Sequence, residues 1–432
     1  MQDPHSELID VHRLRIGMFV ELDIEWMAHP FLKGHFRITS EKQIEAISSL
    51  GLQQVRYFPA RSTHGANARA HALASSDTHA DAVLSATRQA QQQAAQLRQQ
   101  RAAQIQHQRA SLHACEKRFA DAVRCYRRAI QRVAVHPKEV ADQSRALIQT
   151  YVAEMVRDGD SAIRLLSEGN GDRLLIHPVN VTVLCLLLGK AMGLSERDLT
   201  ELGLAAFLHD IGKQQLPERV RWFDDSFSTA EYRLYQAHVS EGVQLAKRMA
   251  LPAGTVLAIA QHHELVDGSG FPAHSKGEAQ PLPSKILALV NRYDDLCNPL
   301  RASLGMTPHE ALSFIFAQLK SHYDSMVLSA FIRMIGVYPP GSVIQLVDGR
   351  YALVVSVNST RPLKPRVIVY DPAVASHEAL IIDLETAPEL GIRRSLKPSA
   401  LPHEVQDYLL PRQRICYFFE SAVAAQEPPQ AA

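Results

Sequence analysis

The chain has 432 residues, of which 46% are hydrophobic and 21% charged, and its formal net charge at pH 7 is +1. This length allows two or three domains, the composition is ordinary for a globular protein, and the near-neutral charge gives no sign of a DNA-binding surface. The five cysteines form no CxxC pair, which argues against a disulfide framework or a cysteine-ligated zinc site. With no secretory leader and no apolar run long enough to span a bilayer, the sequence predicts a cytoplasmic protein.

Residues 1–62 predict a small α+β domain. A strand with a glycine bend covers residues 14–24, a short helix begins at Ser40, and a second strand covers residues 54–58. Apolar bulk comes from three aromatic residues, Trp26, Phe31 and Phe36. The segment shows no catalytic chemistry, so a sensory or docking module and a simple packing unit both stay open.

Residues 63–132 are rich in alanine, glutamine and arginine, which are good helix formers. Because apolar positions are sparse, the segment predicts an exposed, partly disordered helical linker. The run from Ala110 to Val133 is more amphipathic and is predicted to pack on the helical region after it. A coiled-coil homodimer is the alternative interpretation of this linker.

Residues 133–336 have helical periodicity throughout, enough for one domain with a sizeable core. Five helices are predicted by range, at Val140–Arg157, Ser161–Leu166, Ser284–Leu296, Pro308–Leu319 and Ser325–Ile335. Four more are predicted from their ends: one that begins at His177, one that begins at Ser195 and leads to His209, one that Ser228 starts with a capping box, and one that ends at His262.

The C-terminal part changes to a β pattern at residues 337–395. Strands are predicted at Val343–Val347, Arg350–Val357, Arg366–Tyr370 and Leu380–Asp383, the first two joined by the hairpin signal Asp348-Gly349. We interpret this β-rich module as a packing or interaction unit. Residues 396–432 are predicted to be a tail with a disordered end.

Adjacent His209 and Asp210 follow a buried helix, and Gly212 then allows a sharp turn. Burying such a pair is costly unless the two groups satisfy each other or bind a metal. Four more imidazoles lie on neighbouring predicted helices, at His177, His238, His262 and His263. Imidazoles with one carboxylate are ligands for transition metals, so the pattern favours a metal site.

The order of these motifs resembles an HD-GYP domain over residues 135–335. The resemblance rests on His209-Asp210-Ile211-Gly212-Lys213 and on His262-His263-Glu264 followed by Asp267-Gly-Ser-Gly-Phe271-Pro272. HD-GYP domains are bacterial members of the HD phosphohydrolase superfamily that hydrolyse cyclic di-GMP. Residues 1–62 are similar to a small domain of unknown function often fused to them. The implied fold is mainly α, an HD-superfamily helical bundle with a small α+β N-terminal domain and a small β-rich C-terminal module.

The resemblance implies a site with two divalent transition-metal ions, iron or manganese, with nickel or zinc as further candidates. It assigns His177 and His209 to the first ion, His238, His262 and His263 to the second, and Asp210 as the bridge. It also implies that Lys213 contacts the phosphate and that Gly270 and Phe271 shape the substrate side. A solvated surface lysine is the alternative for Lys213.

Several positions depart from the family pattern. Asn291 stands where the first-metal aspartate is usual, so the first site loses a charge, and Arg173 stands where three-metal members have a glutamate, so a third metal is not expected. Leu300 replaces a usual arginine, and the neighbouring Arg301 is the candidate substitute. Phe271 replaces the usual tyrosine.

The resemblance implies a metal-dependent phosphodiesterase that opens cyclic di-GMP to linear pGpG and onward to GMP. Asn291 and Leu300 favour an alternative, a catalytically weakened protein that binds nucleotide or partner proteins such as diguanylate cyclases. Hydrolysis of another nucleotide is a third interpretation, against which the Asp267–Pro272 loop argues.

Overall fold

In the described residues of the first unit, Met1–Leu97, a four-stranded antiparallel sheet packs with a short helix. Its elements are β1 Glu7–Asp10, β2 Phe19–Glu21, β3 His35–Arg37, α1 Glu41–Ser49 and β4 Gln54–Tyr57, with strand order β1-β4-β2-β3. Gly17 and Gly51 have positive φ angles of 96° and 73°, at the predicted bend and helix stop. Val20, Ile38 and Ile47 form the centre of its core. The predicted helix and second strand are confirmed, the predicted strand over residues 14–24 is confirmed only at Phe19–Glu21, and β1 and β3 were not predicted.

The computed structural model describes residues 6–22, 35–58, 61–62, 76–157, 159–166, 172–224, 226–301, 304–358, 361, 363–387, 389–410 and 414–421, with the backbone alone over 76–87. Trp26, Phe31 and the chain end predicted to be disordered lie outside these ranges. The second compact unit is Arg98–Ala432.

Helix α2, Ser76–Arg132, begins in the first unit and ends in the second. Residues 88–102 are exposed, as predicted for a linker helix. Further on, Cys115, Phe119, Ala122 and Tyr126 recur at helical spacing and are buried. This confirms the amphipathic packing predicted for Ala110–Val133.

The second unit is built mainly from helices. They are α3 Pro137–Arg157, α4 Arg173–Ala191, α5 Glu196–Leu208, α6 Thr229–Arg248, α7 Ala253–Gln261, α8 Leu282–Cys297, α9 Pro308–Gln318 and α10 Ser325–Ile335. Ser195 caps α5 and Ser228 forms the predicted capping box on α6. Within the described part of the chain, α4 alone is long and apolar enough to cross a bilayer, and 83% of its apolar window is buried inside the protein.

The prediction of a helix at Ser161–Leu166 is wrong, because Ser161–Leu165 forms strand β5. All five residues of β5 are buried, and the strand pairs antiparallel with β7, Tyr351–Asn358, and with β11, Tyr417–Ser421. So short an apolar run does not distinguish strand from helix, and strands distant in sequence supply its hydrogen bonds.

The C-terminal strands join β5 in one seven-stranded sheet with the path β10-β6-β7-β5-β11, and β8 pairs with both β7 and β9. The remaining elements are β6 Val343–Leu346, β8 Arg366–Val369, β9 Ile381–Asp383, β10 Ile392–Leu396 and α11 His403–Leu409. Gly349, with φ of 90°, makes the predicted hairpin turn. Strands β6, β7, β8 and β9 confirm the four strands predicted for this module.

The prediction of a tail after residue 395 is wrong for the described residues up to 421. Helix α11 and strand β11 lie there, and Tyr417, Phe418 and Phe419 of β11 are buried in the core. Their pairing partner β5 is far away in the sequence, so no local pattern marks the segment as structured. The boundaries of the domains within the second unit remain a prediction.

Candidate metal centre

Four helices bring the predicted histidines together. His177 lies in the second turn of α4, His209 and His262 directly follow α5 and α7, and His238 lies within α6. Their ligand atoms form two groups, His177 with His209 and Asp210, and Asp210 with His238, His262 and His263; within each group these atoms lie within 4.8 Å of one another. Asp210 belongs to both groups.

In the second group the backbone fixes which imidazole nitrogens face inward. Nδ1 of His238 donates to the carbonyl of Tyr235, and Nδ1 of His262 donates to that of Ile259 at 2.7 Å. A carbonyl only accepts, so in each neutral ring Nε2 carries the lone pair. These two Nε2 atoms are 3.2 Å apart, and each is 3.8 Å from Oδ1 of Asp210.

The first group follows the same rule. Nδ1 of His209 donates to the Ala206 carbonyl at 2.7 Å, and Nδ1 of His177 donates to Oδ2 of Asp294 at 2.6 Å. Their Nε2 atoms are 3.2 Å apart, and Oδ2 of Asp210 lies 3.5 Å from His209 and 3.8 Å from His177. Oδ1 of Asn291 is 3.0 Å from Nε2 of His177. Asn291, the predicted neutral ligand, therefore lies beside His177 in the first group.

Electron pairs that face one another across about 3 Å repel unless a cation lies between them. Oδ1 of Asp210 and Nε2 of His263 are buried and have no hydrogen-bond partner among the described residues. Imidazole nitrogens, carboxylate oxygens and an amide oxygen are suitable donors for divalent transition metals. The residues present therefore fit two such ions that share Asp210.

Burial keeps the second-group imidazoles neutral. Burial lowers the pKa of His238 to about 4, and the positive charge of Lys213 contributes to this shift. Burial also holds the pKa values of His262 and His263 well below the usual range. Burial opposes the ionisation of Asp210, but Lys213 and His209 outweigh it and hold the pKa of Asp210 well below its usual value. The group thus offers neutral nitrogens and an ionised carboxylate, the forms that bind metal.

Asp294 orients His177, and the sequence analysis missed it. Besides accepting from His177, its carboxylate accepts at Oδ1 from the side-chain amides of Asn180 at 2.9 Å and Asn298 at 3.0 Å. A carboxylate on the far nitrogen of a ligating histidine fixes the ring and raises its basicity. The signal was available, because Asn291 and Asp294 are three residues apart and so share one face of α8.

Lys213 is buried, with a relative exposure of 4%, so the solvated alternative is wrong. Its ammonium lies 2.6 Å from Oδ2 of Asp210, 5.0 Å from the ring centre of Trp222 and 5.6 Å from that of Tyr235. Two aromatic rings and a carboxylate therefore hold its charge beside the metal ligands.

Arg173, where three-metal relatives would carry a glutamate, is also buried. It forms an ion pair with Asp295, donates to the Asn298 carbonyl, and places its guanidinium 4.6 Å from the centre of the Trp222 ring. Burial opposes the ionisation of Asp295, but Arg173 outweighs it and lowers the pKa of Asp295. Arg173 thus places a cation where that glutamate would place a metal ligand. The indole ring of Trp222 lies near both Arg173 and Lys213. The sequence analysis did not identify Asp295 or Trp222, since nothing local marks them.

The glycine loop packs directly on His263. The Phe271 ring stacks on the His263 imidazole with centres 4.5 Å apart and planes at 21°. A Cβ on Gly270 would lie 2.4 Å from the His263 carbonyl, so only glycine fits there. Glu264 accepts from the backbone amides of Ala273 at 2.6 Å and Ser275 at 2.9 Å, so it braces the loop.

Arg301 is not brought into the histidine groups. Its exposed side chain pairs with Asp224 at 3.5 Å, and the neighbouring Leu300 is 44% exposed. The predicted substrate contact of Arg301 therefore rests on the resemblance alone.

Comparisons with known proteins show which families the chain is similar to. Residues 138–327 match the family described as HD domain, and residues 6–143 match a domain of unknown function, DUF3391, whose match extends well past the predicted boundary at residue 62. The chain is 27% identical over 366 residues to the cyclic di-GMP phosphodiesterase PA4108 of Pseudomonas aeruginosa, which covers 84% of each protein.

A second relative and one solved structure are also similar to parts of the chain. It is 30% identical over 150 residues to the cyclic di-GMP phosphodiesterase response regulator RpfG of Xanthomonas campestris, which covers 34% of this chain and 39% of that protein. A solved structure of Bd1817, an HDG"Y"P protein from Bdellovibrio bacteriovorus, superposes with a TM-score of 0.40 at 14% identity over 76% of this chain and 98% of that one. The chain is therefore similar to proteins that carry DUF3391 in front of an HD domain.

Proposed function

We propose that this protein is a metal-dependent phosphodiesterase that hydrolyses cyclic di-GMP to linear pGpG, and onward to GMP. The observation that carries the proposal is the single carboxylate of Asp210, whose two oxygens face two separate groups of imidazole nitrogens. The relatives named as cyclic di-GMP phosphodiesterases support the choice of substrate.

Two divalent ions, iron or manganese by resemblance and nickel or zinc by ligand type, would polarise the phosphodiester and activate water for attack when bound. His177, His209 and Asn291 would hold one ion, and His238, His262 and His263 the other. Asp210 would serve both.

The protein's own groups supply charge and shape around that centre. Lys213 brings a buried positive charge next to Asp210, where it can compensate charge that develops on the phosphate. Phe271 and the tight loop at Gly270 hold His263 in place from the substrate side. Asp294 keeps His177 turned inward.

The alternative is a weakened member of the family that binds nucleotide or a diguanylate cyclase and signals by contact. Asn291 favours it, because a neutral amide binds a divalent ion less strongly than the carboxylate usual there. Arg301, exposed and paired with Asp224, also leaves the substrate phosphate with one fewer candidate contact. Binding partners and a homodimer remain predictions.

The test is turnover of cyclic di-GMP by the full chain, purified anaerobically and loaded with Fe²⁺ or Mn²⁺, with products separated by chromatography. We expect pGpG to appear first, no product from Asp210→Ala, and slower turnover of cyclic di-AMP and 3'3'-cGAMP. Tight binding of cyclic di-GMP without turnover at any metal concentration would favour the alternative. Faster turnover of another cyclic dinucleotide would overturn the substrate assignment.

A further inference from the structure

A second cleft, of about 290 Å³, lies between helix α2 and the C-terminal sheet. Its floor is formed by buried Arg164 of β5, Leu353 of β7 and Leu409 of α11, and its rim includes the exposed residues Arg109 and His377. No residue of the histidine groups lines it. Its volume is near the lower end of the roughly 300–1,000 Å³ typical of small-molecule sites.

The lining of the cleft is mostly apolar and includes two cationic side chains. Among the described residues that line it are two arginines, Arg109 and Arg164, and no aspartate or glutamate. Leu112, Leu353 and Ile368 provide aliphatic surface. An apolar wall with a cation at its base is complementary to an amphipathic anion.

Arg164 has hydrogen-bonding capacity that the described residues leave unused. Its relative exposure is 6%, and its Nε has no hydrogen-bond partner among the described residues. The ion-paired carboxylate of Glu420 is 3.7 Å from Nη1, beyond hydrogen-bond distance, and its other oxygen accepts from Ser111 at 2.7 Å. Because a buried donor without a partner is unfavourable, a ligand oxygen that accepts from this guanidinium would be bound strongly.

The walls of the cleft are held in place without a ligand. The side-chain amide of Gln108 on α2 accepts from the backbone N–H of Ile381 at 3.3 Å and donates to the carbonyl of the same residue at 3.5 Å. Arg109 donates to the carbonyl of His377 at 2.5 Å. A cleft formed in advance does not have to be ordered when a ligand binds, which favours affinity.

We propose that this cleft binds a small aliphatic carboxylate, with the carboxylate on Arg164 and the hydrocarbon chain against Leu112, Leu353 and Ile368. Arginine is suited to this head group because its fork of N–H donors matches the two oxygens of a carboxylate. This site is separate in its residues from the metal centre, so the proposal does not depend on the proposed function.

The test uses octanoate as the probe and octan-1-ol as a matched neutral probe of the same chain length. Calorimetric titration of the full chain should show one octanoate site, with at least about tenfold tighter binding than octan-1-ol. Octanoate should also raise the thermal unfolding temperature. Equal affinity for both probes, or no octanoate binding, would overturn the proposal.

Two variants place the site. Ala379→Trp fills the cleft from its half-buried rim without touching the buried ion pair, so it should weaken octanoate binding at least about tenfold while Ala102→Trp, on the exposed part of α2, does not. Removing both buried charges with Arg164→Met and Glu420→Gln should make octanoate and octan-1-ol bind alike. Unchanged octanoate binding in Ala379→Trp would show that the probe binds elsewhere and would refute the assignment.

Discussion

The two oxygens of Asp210 face different histidines, and this residue couples the halves of the centre. Oδ1 is 3.8 Å from both His238 and His262, whereas Oδ2 is 3.5 Å from His209. Oδ2 is also the oxygen that pairs with Lys213 at 2.6 Å. A metal ion held by the first group and the lysine charge would therefore act on the same carboxylate.

Because Asn291 offers a neutral amide oxygen, we expect the first group to be the weaker metal site. We predict that Asn291→Asp tightens metal binding and raises turnover at limiting metal, with less effect at saturating metal, because a carboxylate adds a full negative charge 3.0 Å from Nε2 of His177. Asn291→Ala should cost less than His209→Ala, since water can replace a neutral ligand. Metal titrations of cyclic di-GMP hydrolysis compare these variants. Identical titrations of wild type, Asn291→Asp and Asn291→Ala would show that residue 291 is not a ligand.

Lys213 is expected to act on the phosphate and not on metal retention. We predict that Lys213→Gln lowers kcat about 10–1,000-fold, in the range of other single electrostatic donors, while metal content stays near that of wild type. The exposed Lys320→Gln is the matched control. Loss of metal in Lys213→Gln, or a kcat within twofold of wild type, would contradict this role.

At the residue scale, the candidate metal ligands were predictable from the sequence, whereas the residues that hydrogen-bond to or pack against them were not predicted. The histidines and Asp210 lie on or next to helices that the sequence predicts, and all of them converge in the structure. Trp222 acts through contacts with residues distant in sequence, which no local pattern contains, whereas Asp294 could have been found from its spacing to Asn291 on α8. Arg301 was predicted to contact the substrate because it is next to Leu300, but its exposed side chain pairs with Asp224 and does not join the histidine groups.

Among the elements, the contact between the turn Ile211–Gln215 and α6 sets the position of both metal groups. A Cβ on Gly212 would lie 2.1 Å from the His238 carbonyl and 2.4 Å from the amide nitrogen of Gly242. The backbones must therefore touch for Asp210 to reach His238. At the facing residue, a Cβ on Gly242 would meet its nearest neighbour at 3.5 Å, an ordinary contact.

This asymmetry gives a matched pair of variants. Gly212→Ala should destabilise the protein by about 1–3 kcal/mol, the range for overpacking, and should reduce metal binding because it pushes α6 away. Gly242→Ala should leave metal content unchanged and gain up to about 1 kcal/mol from helix propensity. Chemical denaturation and elemental analysis measure both. Equal behaviour of the two variants would mean that this contact does not position the centre.

For the whole molecule, the C-terminal strand β11 is connected to the metal centre. The backbone amide of Tyr417 donates to Asn180 at 3.0 Å, Asn180 donates to Asp294, and Asp294 accepts from His177. Three consecutive aromatic residues of β11, Tyr417, Phe418 and Phe419, are buried. Strand β11 therefore completes the helical core.

A chain that ends at Leu410 should be much less stable than one that ends at Ser421. Each buried aromatic side chain lost removes about 1.5–3 kcal/mol of hydrophobic stabilisation. Thermal unfolding of the two truncated chains measures the difference. Because the shorter chain is expected to fold poorly, Asn180→Ala in the full chain provides the second readout, with weaker metal binding at nearly unchanged helix content. Equal unfolding temperatures for the two chains would contradict this role of β11.

The helices and the hairpin at Gly349 were predictable because their signals are local: caps, periodicity and a turn. The membership of β5 and β11 in one sheet was not, because it depends on pairing between residues about 250 positions apart. The helical frame and the imidazoles that converge around Asp210 were therefore predictable from the sequence, whereas β5 and β11 were not recognised as strands of the sheet.

The most direct test of the account is the metal content of the purified protein by elemental analysis. Two separate groups that share Asp210 predict close to two ions per chain in the wild type, about one in His262→Ala, and almost none in Asp210→Ala with unchanged helical circular dichroism. Asp142→Ala, an exposed carboxylate on α3, is the control and should keep both ions. Retention of both ions by Asp210→Ala, or no metal in the anaerobically prepared wild type, would contradict the central claim that one carboxylate holds two metal ions.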